Sequence, residues 1–281
     1  MGEINYVFIN GEIMPSEKAF VLSTDQGLQF GWGVFETVQV YNGKACLFSE
    51  HFARMRSSAE KLGISVNTDE ITLMRDIEKY IEYLGKGDIV LKIILTKGSG
   101  ESPSIIFTSR EISYTEENYN KGFSAKISTI KRNPYSPLVY MKTLNYMENI
   151  LARQEASGAG YDEAIFLNTE GLLCEGSVSN IFFVKDNLLC TPKISCGILP
   201  GVIRNLIIDK LSKELGITIM EGEFELSCLL EADEAFLTNS VMEVMPLTRV
   251  EDKKIGNGLP GPLTYEIRKS YRVLYVPLHF G

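Results

Sequence analysis

The sequence has few of the residues that build metal centres or covalent crosslinks. Only two histidines are present, His51 and His279, so histidine-rich metal sites and most histidine-based triads are nearly excluded by number. The five cysteines are odd in number, widely spaced and without a Cys-x-x-Cys pair. We therefore expect no metal and no disulfide framework, and free cysteines favour a reducing, cytoplasmic location.

Long apolar runs and basic clusters are also lacking. The longest apolar run, residues 89–95, is interrupted by Lys92 and is far shorter than the about 20 residues that cross a bilayer. The net charge is -8 and the basic residues are scattered, whereas a nucleic-acid-binding protein needs a basic face. We expect neither a membrane nor a nucleic-acid partner, and predict that the partner is a small molecule.

Turn signals and apolar periodicity predict two domains that mix helices and strands. In the first half, they predict strands at residues 6–9, 34–41 and 89–96 and helices at residues 49–62 and 69–84. Asn-Gly pairs follow the first two strands and are strong hairpin signals. The polar, acid-rich stretch at residues 110–121 is predicted to be a linker, which divides the chain into domains 1–120 and 121–281.

The second half is predicted to contain a strand meander and two helices. The helices are expected at residues 141–156 and 200–215, the second closed by Gly216. The strands are expected at residues 123–129, 163–168, 172–175, 179–185 and 188–191.

Two residues in the second half have the chemistry that an imine-forming cofactor requires. Lys142 follows an apolar approach strand, and an apolar environment lowers the pKa of an amine enough for imine formation. Glu175 follows a strand, and a carboxylate facing a pyridine nitrogen keeps that nitrogen protonated. Taken separately, a lysine is usually a surface charge and this glutamate resembles a turn carboxylate.

Other segments offer groups that bind phosphate. The predicted helix after Pro200 begins with Gly201, Val202 and Ile203, and a helix N-terminus presents free N–H groups to an anion. Arg54 can add a bidentate contact, although it also suits a solvated helix surface. Asn239 and Ser240, after a predicted strand, offer an amide and a hydroxyl.

Four motifs in this order resemble the class IV aminotransferases, the fold-type-IV pyridoxal-5'-phosphate enzymes. The resemblance covers nearly the whole chain. The motifs are DQGLQFGWGVFET, EHFARM, KTLNYMENILARQEA with YDEAIFLNTEGLLCEGSVSNIFFV, and GILPGVIRNLII. The resemblance implies an N-terminal α/β domain, a C-terminal pseudo-barrel α/β domain, pyridoxal phosphate as cofactor, and a homodimer.

The resemblance also implies roles for individual residues. It identifies Lys142 as the Schiff-base lysine, Glu175 as the partner of the pyridine nitrogen and Tyr146 as the partner of the cofactor's phenolic oxygen. It places the remaining residues at the phosphate or in the substrate pocket. Arg54, Val202, Ile203, Asn239 and Ser240 are expected to bind the cofactor, and Phe35, Thr37 and Lys97 are expected to line the pocket.

Two positions depart from the family pattern. Ile203 lacks the hydroxyl that often contacts phosphate there, which leaves only its N–H as a donor. Trp32 replaces an acidic residue between Gly31 and Gly33, and its bulk reshapes the expected pocket mouth.

The resemblance leaves several activities open. We predict an aminotransferase that moves an amino group between a branched-chain or other amino acid and a 2-oxo acid. The alternative is the lyase that converts aminodeoxychorismate to 4-aminobenzoate and pyruvate, since Phe35, Glu36, Thr37 and residues 90–100 resemble lyases. The arginine and histidine of the D-amino acid enzymes are missing after Lys97. A cofactor-binding homologue without activity is a further alternative.

Overall fold

The computed structural model describes residues 6–85, 87–100 and 102–276. The described chain forms two compact units. Among the described residues, the first contains those from Tyr6 to Ser113, the segment Met141–Asn145 and residues 275–276, and the second contains Tyr114–Tyr140 and Tyr146–Leu274. The division after Ser113 thus lies seven residues before the predicted boundary after residue 120, and the transfer of five residues after Tyr140 to the first unit is not foreseen by the sequence. His279 lies outside the described residues.

An antiparallel sheet forms the first unit. Its order, within the described residues, is β2-β1-β6-β5-β3-β4. The strands are β1 (Tyr6–Ile9), β2 (Glu12–Pro15), β3 (Gly33–Tyr41), β4 (Lys44–Ala45), β5 (Ile89–Ser99) and β6 (Ser102–Arg110). The helices are α1 (Gln26–Phe30), α2 (Phe48–Lys61) and α3 (Glu70–Leu84).

The predicted hairpin turns are confirmed. Asn10 and Gly11 join β1 to β2, and Asn42 and Gly43 join β3 to β4, all four with positive φ. A two-residue turn with positive φ at both positions follows the twist of the strands, and asparagine and glycine tolerate it best. The signal is local, so the sequence alone suffices to predict it.

One face of the first sheet packs on α2 and α3. Alternate residues of β3 and β5, including Val38, Val40 and Leu91, join this core together with Phe52 and Ile77 of the helices. Alternation then places the neighbours of these strand residues on the opposite face. That opposite face carries Phe35, Thr37 and Lys92.

Helix α2 begins earlier than the sequence predicts. Leu47 is its N-cap and Phe48, which is buried, its first residue, whereas the sequence predicts Ser49 as the cap. The hydroxyl of Ser49 donates instead to Glu70, the first residue of α3. The burial of Phe48 in the core outweighs the local capping preference.

A nine-stranded sheet, counted over the described residues, forms the second unit. Its path is β12-β11-β10-β13-β14-β7-β8-β9, with β15 paired to β14, and it curls so that β9 lies beside β10. The strands are β7 (Phe123–Ile127), β8 (Glu163–Leu167), β9 (Leu173–Gly176), β10 (Asn180–Lys185), β11 (Leu188–Pro192), β12 (Ile219–Gly222), β13 (Glu234–Asn239), β14 (Glu243–Val250) and β15 (Lys253–Lys254).

Short helices surround this sheet. They are α4 (Glu116–Lys121), α5 (Met147–Gly158), α6 (Val202–Leu206), α7 (Ser212–Glu214), α8 (Leu226–Leu230) and α9 (Pro262–Tyr275). A π-helical turn, Ile207–Leu211, joins α6 to α7. The predicted mixture of helices and strands is confirmed in both units, and none of the helices in the described residues has the length and apolarity of a membrane span.

Three predicted segments differ from the structure. The predicted linker contains α4, because Thr115 and Asn118 form a reciprocal capping box and Tyr119 is buried. The predicted helix at 141–156 begins only at Met147 and ends at Gly158. The predicted helix at 200–215 begins at Val202, and its middle turn is π-helical.

Candidate functional site

Lys142 lies on an extended segment beside β3. The backbone N–H of Phe35 donates to the carbonyl of Lys142 over 2.9 Å, and the N–H of Leu144 donates to the carbonyl of Gly33 over 3.0 Å. Thr143 pairs with Val34 between these two bonds. The preceding apolar stretch, Pro137–Tyr140, is a 3₁₀ turn rather than the predicted approach strand. The backbone of Lys142 is therefore fixed by strand-like pairing to the first sheet.

Two lysine side chains lie against the ring of Phe35. Lys142 Nζ lies 4.4 Å from the ring centroid and Lys92 Nζ lies 4.7 Å from it. Lys92 is half-buried and pairs directly with Thr37 across β3 and β5. Burial lowers the pKa of Lys92. The predicted pocket residues Phe35 and Thr37 thus lie beside a cation that the sequence analysis does not assign to the site.

A buried carboxylate on the core side of β3 orients Arg54. Arg54 Nε donates to Glu36 Oε1 over 2.8 Å, and Arg54 Nη2 donates to Glu36 Oε2 over 2.6 Å. His51, one turn earlier on α2, donates from Nδ1 to Glu36 Oε2 over 2.6 Å. Ionised carboxylates only accept hydrogen bonds, so this contact requires a proton on Nδ1. Arg54, expected at the phosphate, is thus already oriented by Glu36.

The charges in this group are coupled. Burial on its own raises the pKa of Glu36, but Arg54 and His51 outweigh it and lower that pKa to about 2. Burial lowers the pKa of His51, and Glu36 opposes that shift. Arg54 and Lys142 reinforce the lowering at His51, which therefore stays neutral near pH 7.

Sequence patterns contain part of the signal for this group. Glu36 falls in phase with the apolar residues Val34, Val38 and Val40, which predicts that it points into the core. His51 and Arg54 are three residues apart and so share one face of α2. The alternation in β3 thus indicates a buried acid, and the spacing on α2 indicates a histidine and an arginine on one helix face.

Lys97, expected to line the pocket, contacts Gly63 and Trp32. Its Nζ donates to the carbonyl of Gly63 over 2.7 Å and lies 5.9 Å from the centroid of the Trp32 ring. The indole Nε1 of Trp32 donates to the carbonyl of Leu62 over 2.8 Å. Trp32 and Lys97 thus contact the end of α2, and the placement of Lys97 in the substrate pocket stays a prediction.

In the second unit, Glu175 is buried and its carboxylate accepts three hydrogen bonds. Oε1 accepts from Arg132 Nη2 over 3.3 Å. Oε2 accepts from Asn180 Nδ2 over 3.2 Å and from the backbone N–H of Leu199 over 3.0 Å. Three donors from three different segments fix this carboxylate in one orientation. Arg132 and Asn180 are not among the predicted site residues.

Tyr146 lies at the start of α5 and contacts the turn after β9. Its hydroxyl donates to the carbonyl of Ser177 over 3.2 Å, and Asn149 donates to the same oxygen over 2.6 Å. Burial and the neighbouring carboxylates of Glu175 and Glu163 raise the pKa of Tyr146. The phenol therefore remains protonated near pH 7 and acts as a hydrogen-bond donor.

The start of α6 is buried and has no side-chain cap. Gly201 is its N-cap, no side chain caps it, and Val202 and Ile203 form its first turn. A Cβ at Gly201 would lie 2.0 Å from Asn180 Oδ1, so this position requires glycine. Asn180 Nδ2 also donates to the carbonyl of Leu199 over 2.9 Å. One side chain thereby ties the helix start to Glu175.

The loop after β13 is shaped by Asn239. Its Oδ1 accepts from the N–H groups of Val241 and Met242, both over 2.8 Å, and its Nδ2 donates to the carbonyl of Val178 over 3.0 Å. The amide of Asn239, predicted to contact the cofactor, is thus used to hold the loop. Ser240 lies at its half-buried tip.

The second-unit residues fit a phosphorylated pyridine. A buried, oriented carboxylate matches the ring nitrogen, and uncapped N–H groups at a helix start match a phosphate. The hydroxyl of Thr238 next to Asn239 is buried and has no hydrogen-bond partner among the described residues, so it is available to a polar ligand. The donor set thus agrees with pyridoxal phosphate.

Comparisons with known proteins identify the family. The family model "Amino-transferase class IV" matches residues 33–250. A putative branched-chain-amino-acid aminotransferase of Methanocaldococcus jannaschii is 30% identical, over 95% of both chains. A D-alanine aminotransferase of Bacillus licheniformis is 31% identical, over 94% of this chain and 95% of the relative. An aminodeoxychorismate lyase of Bacillus subtilis is 28% identical, over 89% and 88% of the two chains.

Solved structures agree with these relatives. The branched-chain amino acid aminotransferase of Escherichia coli superposes with a TM-score of 0.90 at 29% identity, covering 97% of this chain and 95% of that chain. The branched-chain enzyme from T.th., solved with pyridoxamine 5'-phosphate, superposes with a TM-score of 0.88 at 26% identity, covering 96% and 93%. The predicted fold, cofactor and enzyme class are confirmed: the chain belongs to the class IV aminotransferase family and is a pyridoxal-phosphate-dependent aminotransferase.

Proposed function

We propose that this enzyme moves the amino group of an α-amino acid to a 2-oxo acid, with Lys142 as the Schiff-base lysine. The observation that carries the proposal is the placement of Lys142. Its backbone is paired to β3, and its Nζ lies 4.4 Å from the centroid of the Phe35 ring. An amine held against an aromatic face at a fixed strand position is oriented before the substrate arrives.

Separate groups are proposed to hold the two ends of the cofactor. Glu175 faces the pyridine nitrogen, and the N–H groups of Val202 and Ile203, with the hydroxyl of Ser240, hold the phosphate. Arg54 adds a cation whose orientation is set by Glu36. When bound, pyridoxal phosphate supplies an electron sink that stabilises negative charge at the substrate α-carbon.

Lys142 and Tyr146 are proposed to handle protons and hydrogen bonds during the reaction. Lys142 Nζ takes the proton from the substrate α-carbon and returns a proton as the reaction proceeds. Tyr146 stays protonated, because burial raises its pKa. Its hydroxyl donates to the carbonyl of Ser177 in the structure and is proposed to release that carbonyl and donate to the phenolic oxygen of the cofactor instead. Neutral His51 beside Glu36 adds no positive charge near Lys142.

The substrate pocket is proposed to include Phe35, Thr37 and Lys92. Phe35 presents an aromatic wall, and Thr37 pairs directly with Lys92 on the same sheet face. A half-buried ammonium group is suited to a carboxylate of the substrate, because burial strengthens their attraction. These residues accept an amino acid whose side chain contacts an aromatic surface.

A single-turnover spectrum tests the proposed reaction. The purified holoenzyme is mixed with L-glutamate, L-leucine, L-alanine or their D-forms, and the absorbance of the bound cofactor is followed. We expect at least one amino acid to convert the cofactor to its amine form, and a 2-oxo acid to restore the original spectrum. An unchanged spectrum with every amino acid would contradict the proposal.

The lyase reaction is a second candidate because of Lys92. Aminodeoxychorismate carries two carboxylates, and Lys92 places a second lysine Nζ, besides that of Lys142, against the Phe35 ring. The similarity to the lyase of Bacillus subtilis supports the same candidate. Formation of 4-aminobenzoate from aminodeoxychorismate, in an enzyme that no amino acid converts, would establish the lyase.

We also propose that the enzyme is a cytoplasmic homodimer. Phe20, Leu22, Leu28 and Phe30 expose between 65% and 82% of their surface within one short segment of the first unit. Exposed apolar residues this dense are typical of an interface between chains. Light scattering during size exclusion should give twice the chain mass, and Phe20→Asp with Phe30→Asp should give a monomer.

The free thiols of the five cysteines suit a reducing compartment.

A further inference from the structure

Arg132 is a buried cation in direct contact with the Glu175 carboxylate. Its side chain is 6% exposed and that of Glu175 is 7% exposed, with Nη2 and Oε1 3.3 Å apart. On its other side, Nη1 lies 3.4 Å from the exposed Glu148 and 3.3 Å from the Asn149 amide oxygen. The guanidinium thus lies between one buried and one solvated carboxylate.

Arg132 is fixed in place by its backbone and by an aromatic ring. Its backbone bridges to Asn168, donating to the carbonyl of Leu167 and accepting from the N–H of Thr169. The guanidinium carbon lies 4.1 Å from the centroid of the Phe166 ring, a stacking distance. The backbone bonds and the contact with the Phe166 ring together hold the guanidinium beside Glu175.

A buried ion pair such as Arg132–Glu175 contributes little net stability to a fold. Removing two charges from water is unfavourable, and their mutual attraction offsets that penalty only with full hydrogen bonding. Arg132 Nε is buried and has no hydrogen-bond partner among the described residues, so the pairing is incomplete. An apolar pair of similar volume would stabilise the unit as well or better. The pair is therefore better explained by what it does to Glu175.

Two other titratable groups of the second unit that interact electrostatically with Glu175, Tyr146 and Cys174, are neutral near pH 7. Burial raises the pKa of both the Tyr146 phenol and the Cys174 thiol. Asn180 and the Leu199 N–H donate without charge. Within the described part of this unit, Arg132 thus supplies the positive charge that contacts Glu175.

We propose that Arg132 is a positioning residue that holds Glu175 as a carboxylate aimed at the cofactor's ring nitrogen. The inference rests on the proposed role of Glu175. Arg132 acts only through that carboxylate: it keeps the carboxylate ionised and turned toward Asn180 and Leu199, so the ring nitrogen meets an acceptor rather than a carboxylic acid. Without this cation, a buried carboxylate takes up a proton at higher pH.

The test compares pyridoxal phosphate with 1-deazapyridoxal phosphate, in which a C–H replaces the ring nitrogen. The affinity of the apoenzyme for both ligands is measured between pH 8 and pH 5.5. The ratio of the affinity for pyridoxal phosphate to the affinity for the deaza compound isolates the contact at the ring nitrogen. In Arg132→Gln the ratio should fall with decreasing pH, by about tenfold relative to wild type at the acidic end, which corresponds to one unit of pKa. Arg132→Lys, which keeps the charge, should restore the wild-type ratio.

Glu148→Gln is the matched control, since it alters the far side of the same guanidinium and leaves Glu175 untouched. Its ratio should equal that of wild type at every pH. An equal loss of affinity for both ligands in Arg132→Gln, or a ratio independent of pH, would overturn the inference. If Arg132→Gln does not fold, Arg132→Lys is measured alone. An affinity ratio of Arg132→Lys that differs from the wild-type ratio at acidic pH would then overturn the inference.

Glu175→Gln separates this inference from the proposed function. If its ratio equals that of wild type, Glu175 does not contact the ring nitrogen, and the proposed cofactor site is wrong. If its ratio falls while that of Arg132→Gln stays at the wild-type value, the site is correct and the role of Arg132 alone is refuted.

Discussion

Replacing Glu36 by glutamine should remove a defined part of the acid sensitivity of the protein. Glu36 is 1% exposed and accepts hydrogen bonds from His51 and from two nitrogens of Arg54. Together these groups lower its pKa from 4.5 to about 2, against the effect of burial. A carboxylate with a depressed pKa in the folded state stabilises the protein above its unfolded pKa and loses that contribution as the pH falls.

The size of the effect follows from the shift. A difference of about 2.5 pKa units is worth about 3.4 kcal/mol near pH 7, at about 1.36 kcal/mol per unit. Integration of the linkage relation gives about 3.3 kcal/mol at pH 5.5 and about 1.4 kcal/mol at pH 3. Glu36 therefore accounts for a loss of about 2 kcal/mol between these two pH values.

The assay is urea unfolding of the apoprotein at pH 5.5 and pH 3, followed by circular dichroism. Other acids titrate equally in both proteins, so the wild type should lose about 2 kcal/mol more than Glu36→Gln on acidification. Glu60→Gln is the control, because Glu60 forms an exposed pair with Arg56 that is worth at most about 0.5 kcal/mol. Parallel losses in the wild type and in Glu36→Gln would refute the reasoning.

Three further outcomes are expected. Borohydride reduction and peptide mapping should place the pyridoxyl group on Lys142, and Lys142→Ala should lower turnover by about 10²-fold or more, whereas the surface variant Lys185→Ala should behave as wild type. Glu175→Gln at saturating cofactor should cost about 3 kcal/mol of transition-state stabilisation in kcat, and a nearly normal rate would show that the ring nitrogen has another partner. Gly201→Ala, whose Cβ would meet Asn180 Oδ1 at 2.0 Å, should lose about 1–3 kcal/mol of stability and weaken cofactor binding, whereas Gly158→Ala, with open space around it, should change stability by less than about 1 kcal/mol in a melting experiment.

Local signals explain which parts of the fold the sequence predicts. The Asn-Gly hairpins, the strand that begins at Tyr6 and the helix capped by Asp69 depend on neighbouring residues, and they are found as predicted. The segment Met141–Asn145 has helical apolar spacing but is extended, because it pairs with Gly33 and Phe35, more than a hundred positions away in the sequence. Periodicity reports which face a residue favours and carries no information on such distant partners.

The candidate site shows the same limit. Lys142, Glu175 and Tyr146 are predicted because the motifs around them resemble a family. Arg132 and Asn180 escape prediction, since an arginine and an asparagine have many ordinary uses and only the fold brings them to Glu175. Lys97 is predicted to line the pocket, and its contact with Gly63 at the end of α2 is one that only the fold shows.

The detour of five residues from Met141 to Asn145 makes both units discontinuous in sequence. No single cut can then release the first unit with its lysine, and a fragment that ends at Ser113 leaves the N–H of Phe35 and the carbonyl of Gly33 without their partners. During synthesis, the pairing of β3 with residues 142–144 can form only after these residues of the second half have been made. Recombination that exchanges one unit for a homologue must likewise carry this short segment along, or lose Lys142, the proposed Schiff-base lysine.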